Sequence, residues 1–439
     1  MINSIDKSFS FLFILIPIFL ITGPALPDII ITLGGLYFLI TFLFLKNDKI
    51  FLKNNFFLIS IFFWLSMLFI SNFAYDKIKS FQDSLIFIRM LIIPTMGYFL
   101  FINNEKKIIQ SIKIIFFCVC FVSIDTLFQF INYSSETGFG KDILGFKSEW
   151  YGRLTGPFGD ELVPGAYISK FGLLGYLFFY FIKKNRFLSY VEIIYLSSVG
   201  LICFASGERM ALATYFLGLL FLLIFLKNKR FIILASILLS LFLIFITFKL
   251  HPFYNDYKII SSTHYHQGLT IEKYYDCNEN ESKKCKKILN LQPSFLKVLR
   301  NFSTSAYGEI YNVGWNMFKN NQLTGVGISN YQTTCLNLKK YKNLMLNYEC
   351  ASHPHNIYVQ FLSEGGIILF LSFSFFLLSI IYIIFKQKSS KTLKVISFAC
   401  LIIIFWPLMS TGSLIKNWNG ILTFYIIGIC LNINRVKLR

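Results

Sequence analysis

Apolar stretches close to the length of a membrane crossing return again and again along this chain, and that recurrence limits the fold before any motif is considered. A helix needs about 20 such residues to cross roughly 30 Å of hydrocarbon. The runs lie at approximately 9–24, 29–46, 55–74, 84–103, 109–131, 164–182, 188–206, 209–226, 231–249, 357–385, 395–412 and 419–433. Composition agrees: 55% of the 439 residues are hydrophobic, 52 are Phe, and the mean hydropathy is +0.60. Only 15% are charged, too few for the surface of a soluble domain this large. The expected fold is an all-α polytopic membrane protein with about 12 transmembrane helices.

The net charge of +20 raises the question of nucleic acid, but placement decides against it. Basic residues cluster in short connections: Lys46, Lys49 and Lys53; Lys106 and Lys107; Lys183, Lys184 and Arg186; Lys227, Lys229 and Arg230; Lys386, Lys388, Lys391 and Lys394; Arg435, Lys437 and Arg439. They fall at every second connection, as cytoplasmic loops require. Both ends are then expected inside, and no nucleic acid is expected as a partner. The first run follows Lys7 but has no small-residue cleavage site, so it reads as a span rather than a cleaved signal. No internal repeat is visible, whereas two-halved transporters tend to show one. Three parts follow: a bundle at 1–249 (spans 1–9), a large extracytoplasmic loop subdomain at 250–356, and the last three spans at 357–439. The tenth run exceeds what one crossing needs, so it either tilts or stands above the bilayer.

The large loop holds Cys277, Cys285, Cys335 and Cys350, an even number on the side where disulfides persist. Four cysteines permit three pairings; the local one, Cys277–Cys285 with Cys335–Cys350, is favoured over the others and over free thiols. Closing a loop of about 15 residues contributes roughly 3 kcal/mol in the chain-entropy model. Cys118, Cys120, Cys203, Cys400 and Cys430 fall within spans and read as apolar filler.

Chemistry concentrates just after Cys350, in C-A-S-H-P-H-N-I-Y-V-Q-F-L-S-E-G-G. Pro354 disfavours helix at His353, and Asn356 is suited to cap a helix opening at Ile357. His355 then sits beside a helix N-terminus, which lowers an imidazolium pKa and suits a general base. The competing reading is a loop histidine with a purely structural bond. Two histidines without a third ligand pattern give little support to zinc. Arg209, in S-G-E-R-M-A, is placed to fork onto phosphate oxygens or to pair with Glu208 or anchor at the interface. Arg153, in Y-G-R-L-T-G-P-F-G-D-E, is either a second anion contact or part of a loop with internal salt bridges to Asp160 and Glu161. Arg89 and Asp125, inside spans, are more simply a structural pair than a proton relay. Glu364 lies on nearly the opposite bearing from His355 and reads as a packing or hydrogen-bonding residue. The glycine-rich L-T-G-V-G-I-S-N-Y lacks the G-K-S/T of a nucleotide loop.

The order G-W-N-M-F-K-N-N-Q-L-T-G-V-G-I-S-N-Y, a Cys-bounded stretch, then H-P-H-N-I-Y-V-Q-F-L-S-E-G-G resembles the signature region of the O-antigen ligase and polymerase superfamily. R-L-T-G-P-F-G-D-E and S-G-E-R-M-A are similar to further pieces of it. The resemblance implies a C-type glycosyltransferase fold in the bacterial inner membrane, working on the periplasmic side with no cofactor and no metal. It implies transfer of a glycan from undecaprenyl pyrophosphate to a sugar hydroxyl of lipid A–core, among membrane lipids. On this basis His355, with His353 beside it, is the catalytic base, and Arg209 contacts pyrophosphate. The family's further arginine is missing from S-A-Y-G-E-I-Y, leaving Arg300 or Arg153 as stand-ins. Two alternatives stand beside the ligase: a polymerase joining undecaprenyl-linked units, and a transporter or flippase for the lipid-linked glycan.

Overall fold

The computed structural model describes residues 2–41, 55–101, 105–134, 138–148, 152–182, 186–255, 300–346, 348–408 and 410–435. The chain opens with α1 (Ile2–Ile14), α2 (Ile16–Phe19), α3 (Ala25–Ile40), α4 (Asn55–Ser71), α5 (Lys77–Phe101) and α6 (Glu105–Ile131). A short antiparallel pair, β1 (Tyr133–Ser134) and β2 (Gly138–Phe139), precedes α7 (Pro164–Tyr176), α8 (Arg186–Ala205), α9 (Arg209–Phe225), α10 (Arg230–Leu250) and α11 (Pro252–Asn255). Then come α12 (Ala306–Asn320), α13 (Tyr331–Asn337), α14 (Lys339–Lys342), α15 (Ile357–Lys386), α16 (Lys391–Phe405) and α17 (Asn417–Ile433).

Each apolar run coincides with a helix, the first with α1 and α2 in tandem. Among the described residues five helices are long and apolar enough to cross a membrane: Lys77–Phe101, Glu105–Ile131, Phe187–Ala205, Lys227–Leu250 and Ile357–Lys386. Four more apolar helices are shorter: α3, α4, α9 and α17. A mostly helical chain with several such segments is what a polytopic membrane protein requires, because only helices and closed barrels satisfy their backbone groups in lipid.

The helices pack into two bodies, Met1–Ile114 with Ser303–Arg439, and Ile115–Phe302. In the first, Phe63 of α4 is fully buried and meets Phe361, Phe373 and Phe376 of α15 at ring-centroid distances of 5.8, 5.8 and 5.4 Å. Contacts of this kind hold helices together where lipid is as apolar as the side chains. Arg89 finds a different partner from the Asp125 that the sequence suggests. Its Nη1 lies 2.8 Å from Asp28 Oδ1 of α3, and its Nη2 donates to Asn417 Oδ1 of α17 at 2.7 Å. Asn417 Nδ2 donates in turn to Asp28 Oδ2 at 3.1 Å, closing a polar triad across three helices. Asp125 instead accepts the Ile143 amide at 3.0 Å. In the second body, Glu192 of α8 accepts from Tyr176 of α7 at 2.7 Å and from Lys229 at 2.6 Å.

The long helix α15 is interrupted. It is two helical pieces joined at Gly366, whose φ of 61° and ψ of −161° only glycine adopts readily. The break admits a second strand of chain. The Ile367 and Ile368 amides donate to the Gln322 and Leu323 carbonyls at 2.8 and 3.3 Å. Val326 and Gly327 amides donate to the Ser363 and Glu364 carbonyls at 2.9 and 2.8 Å. A Cβ on Gly325 would strike the Glu364–Gly365 peptide, and one on Gly366 would strike the Leu323–Thr324 peptide. The glycine-rich turn and the E-G-G stretch are therefore two halves of one backbone crossing. Buried Glu364 braces it, accepting from the Tyr331 amide at 3.3 Å and from Gln360 Nε2 at 3.0 Å.

Candidate active site

The histidine turn is held from both ends. A disulfide joins Cys335 to Cys350, and both sulfurs sit in a small core with Ile310, Val313, Met317, Tyr331 and Tyr341. Cys277 and Cys285 lie outside the described residues. The disulfide fixes the chain three residues before His353. On the far side, Asn356 caps α15: its Oδ1 accepts the Tyr358 and Val359 amides at 2.9 and 3.1 Å. The same side chain donates from Nδ2 to the Pro407 carbonyl at 2.7 Å, tying the cap to the segment after α16.

Between these anchors His355 adopts a φ of 52°, left-handed backbone that a non-glycine residue seldom occupies. The Thr411 amide donates to the His355 carbonyl at 2.7 Å and holds that conformation. Strain of this order persists only where surrounding contacts fix it, and such positions gather at functional sites.

The two imidazoles lie with ring centroids 4.2 Å apart, yet their surroundings differ. His353 Nε2 faces the Thr411 carbonyl at 3.3 Å, and Nδ1 lies 2.9 Å from the Ser352 hydroxyl. A carbonyl only accepts, so Nε2 carries the proton and Nδ1 accepts from Ser352. Burial, then the neighbouring His355, lowers the His353 pKa to about 4; the Thr411 carbonyl opposes this and Lys416 adds to it. His355 is also lowered, by burial. Desolvation thus favours the neutral form of both rings. Among the described residues no hydrogen-bond partner meets the His355 ring nitrogens; the ring has only the edge of Tyr307, at 6.0 Å between centroids, and His353.

A separate corner in the second body carries the arginines. Gly207, with φ of 78°, turns the chain so tightly that a Cβ there would strike the Gly152 carbonyl. Glu208 receives the N-terminus of α7: its Oε1 accepts the Gly165 amide at 2.7 Å and its Oε2 the Ala166 amide at 3.1 Å. Burial raises its pKa to about 7 against the pull of Arg153, these two amides and Lys170. Arg153 donates from Nη2 to the Leu162 carbonyl at 3.1 Å, closing its own loop rather than pairing with Asp160 or Glu161. Arg209 opens α9 and is exposed. Arg300 is exposed at the edge of the described residues.

Residues 193–374 match the family model described as O-antigen ligase. That match supports placing this segment in the O-antigen ligase superfamily. No curated protein gives a significant match. The O-antigen ligase match runs from α8 into α15, so it takes in Arg209, Cys335, Cys350, His353 and His355. Members of that family are glycosyltransferase-like membrane ligases, so the match suggests a function of ligase or polymerase type. Sequence reasoning missed three side chains of the O-antigen ligase segment's histidine turn. Tyr307 and Tyr311, a helical turn apart on α12, stand beside His355 and bond Asn356 respectively. Their spacing is the signal that could have found them. Ser352 donates to His353 Nδ1, and the adjacent position was its only clue. Thr411 lies beyond the matched stretch, and nothing in the sequence couples it to His355.

Proposed function

We propose that the protein is an O-antigen ligase that moves a glycan from undecaprenyl pyrophosphate to a sugar hydroxyl of lipid A–core on the periplasmic side of the bacterial inner membrane. The observation that carries this reading is the His355 imidazole: neutral, held in strained backbone, and without a hydrogen-bond partner among the described residues. Such a ring has a lone pair ready for a proton. In the reaction, the acceptor hydroxyl gives its proton to His355 while its oxygen bonds to the anomeric carbon. The bond from that carbon to the pyrophosphate oxygen breaks, and undecaprenyl pyrophosphate leaves with the electron pair. Direct displacement inverts the anomeric centre.

The leaving group is already good, so the protein has to position two substrates, accept one proton and offset negative charge. From the resemblance of S-G-E-R-M-A to the family pattern we assign that charge to Arg209, since a guanidinium can fork onto phosphate oxygens. Arg153 donates one guanidinium N–H to the Leu162 carbonyl and stands near Glu208, and we assign it to holding the turn. His353, with both nitrogens occupied, orients His355 rather than taking the proton.

The test is transfer in vitro from a defined undecaprenyl-pyrophosphate glycan to purified lipid A–core, followed by gel shift. Product from wild type and none from His355→Ala supports the reading. Absence of any covalent product from wild type sinks it in favour of a transporter. A deletion strain separates ligase from polymerase: long glycan left on its carrier with bare core means ligase, and core capped by one repeat means polymerase.

A further inference from the structure

Helix α12 lies beside the histidine turn and has three distinct faces. Ile310, Val313 and Met317 are buried in the disulfide-stapled core. Asn312 and Asn316 share another face, with Asn316 Nδ2 donating to Asn312 Oδ1 at 2.9 Å. The third face is aromatic: Tyr307, Tyr311 and Trp315 follow at four-residue spacing, with Phe318 against Trp315 at 5.3 Å. Tyr307 is 37% exposed and Trp315 48%, while the branched aliphatic side chains and Met317 of this helix are all buried.

That segregation is informative. Tyr and Trp also gather at membrane interfaces, but an amphipathic helix lying in one commonly exposes Leu beside its aromatics, and this helix exposes no leucine or isoleucine. Here the exposed apolar surface of α12 is ring alone, flanked by asparagines and by Lys319, whose ammonium stands 5.8 Å from the Trp315 ring. Rings presented this way, beside amide donors and acceptors, fit a ligand with flat C–H faces and hydroxyl edges. A pyranose has that shape: its axial C–H bonds carry partial positive charge toward the negative π face. The row also points somewhere. At about 1.5 Å rise per residue, Tyr307 and Trp315 stand about 12 Å apart along the axis, more than one sugar ring. The Tyr307 end meets His355.

We infer that the aromatic face of α12 is a stacking platform for the acceptor's sugar chain, with Tyr307 under the sugar whose hydroxyl faces His355 and Trp315 under a sugar farther along. This rests on the transfer reading for the acceptor's identity, but the platform itself is a binding property. Specificity for the acceptor then comes from ring stacking, which tolerates differences among sugars with a flat apolar face.

The test uses the full chain in detergent and, as probe, the soluble oligosaccharide released from purified lipopolysaccharide by mild acid, titrated by calorimetry. Tyr307→Ala and Trp315→Ala are each expected to weaken binding about tenfold, the order of losing one stacked ring. Tyr307→Phe and Trp315→Tyr keep a ring and should bind like wild type, which also shows that the site tolerates substitution. Alanine variants that bind like wild type overturn the platform, as does wild type that fails to bind. Quenching by brominated lipid that disappears in Trp315→Phe, with oligosaccharide binding intact in Trp315→Ala, overturns it in favour of a lipid anchor. If His355→Ala still transfers glycan while the alanine variants lose binding, the platform stands and the catalytic assignment falls.

Discussion

The histidine turn and the Gly207–Glu208 turn are both tight, glycine- or proline-marked corners at the start of an apolar helix. They spend their polar groups differently. At Glu208 both carboxylate oxygens accept amides of α7, and Arg153 closes on the Leu162 carbonyl. At the histidine turn the neighbours of His355 are saturated instead: Asn356 caps and cross-links, and His353 engages Thr411 and Ser352. Among the described residues the His355 ring nitrogens have no hydrogen-bond partner, and neither does the buried Thr411 hydroxyl. One corner uses its bonds to hold helices in place, and the other uses them to hold one imidazole open. Charge in a membrane protein therefore does not by itself mark a reactive site; an unused valence in a fixed frame is the better guide.

The comparison is broken most directly at His355. Its replacement by Ala should lower transfer by about 10²–10⁴-fold, the range for a general base. Thermal unfolding in detergent should be nearly unchanged, because few bonds are lost. Glu208→Ala should do the reverse, removing the acceptor for two amides at a cost of about 1–3 kcal/mol. A falling unfolding midpoint and a retained turnover number per folded molecule would be the signature. An equal loss of activity at both sites, with no loss of stability at either, would erase the distinction.

The two corners should also answer pH with opposite sign. The folded pKa of His353 lies near 4, below its ordinary value of 6.5, so the unfolded chain binds more protons between them. Stability from this site is then lost as pH falls through that window. Glu208 is raised from 4.5 to about 7, so the folded chain binds more protons between those values. Its contribution is lost as pH rises. Glu208→Gln, which cannot ionise, should therefore gain on wild type in unfolding midpoint as pH climbs from 4.5 to 7. A midpoint difference that stays flat would mean the carboxyl is ionised throughout.

What the sequence makes legible here is whatever depends on neighbours along the chain. Apolar runs give the helices, and His-Pro-His-Asn gives the cap at Ile357, because capping and proline geometry act within a few residues. The Cys335–Cys350 link also has local spacing. The break at Gly366 was not legible, since E-G-G reads as helix until the chain around Leu323 is laid across it. Arg89 likewise takes Asp28 from a distant helix over the intramembrane acid the eye picks first. Within the site, the local pattern named two histidines, but only Thr411, brought in from beyond α16, tells them apart.

That difference yields the smallest effect and the finest test. His353→Ala removes a ring packed on His355 and leaves the Thr411 carbonyl without its donor, so some loss of alignment is expected. The proton acceptor survives, and transfer should fall by about tenfold at most, well short of the loss expected for a general base. The acid limb of the kcat profile separates alignment from proton transfer. It should reflect His355, whose pKa lies below the ordinary histidine value, so activity should persist under mild acid and fail as the ring finally protonates. In His353→Ala that limb should keep its shape while the plateau drops. If the limb vanishes instead, or the plateau falls as far as in His355→Ala, then His353 is the base, and its bonds to Thr411 and Ser352 must open during turnover.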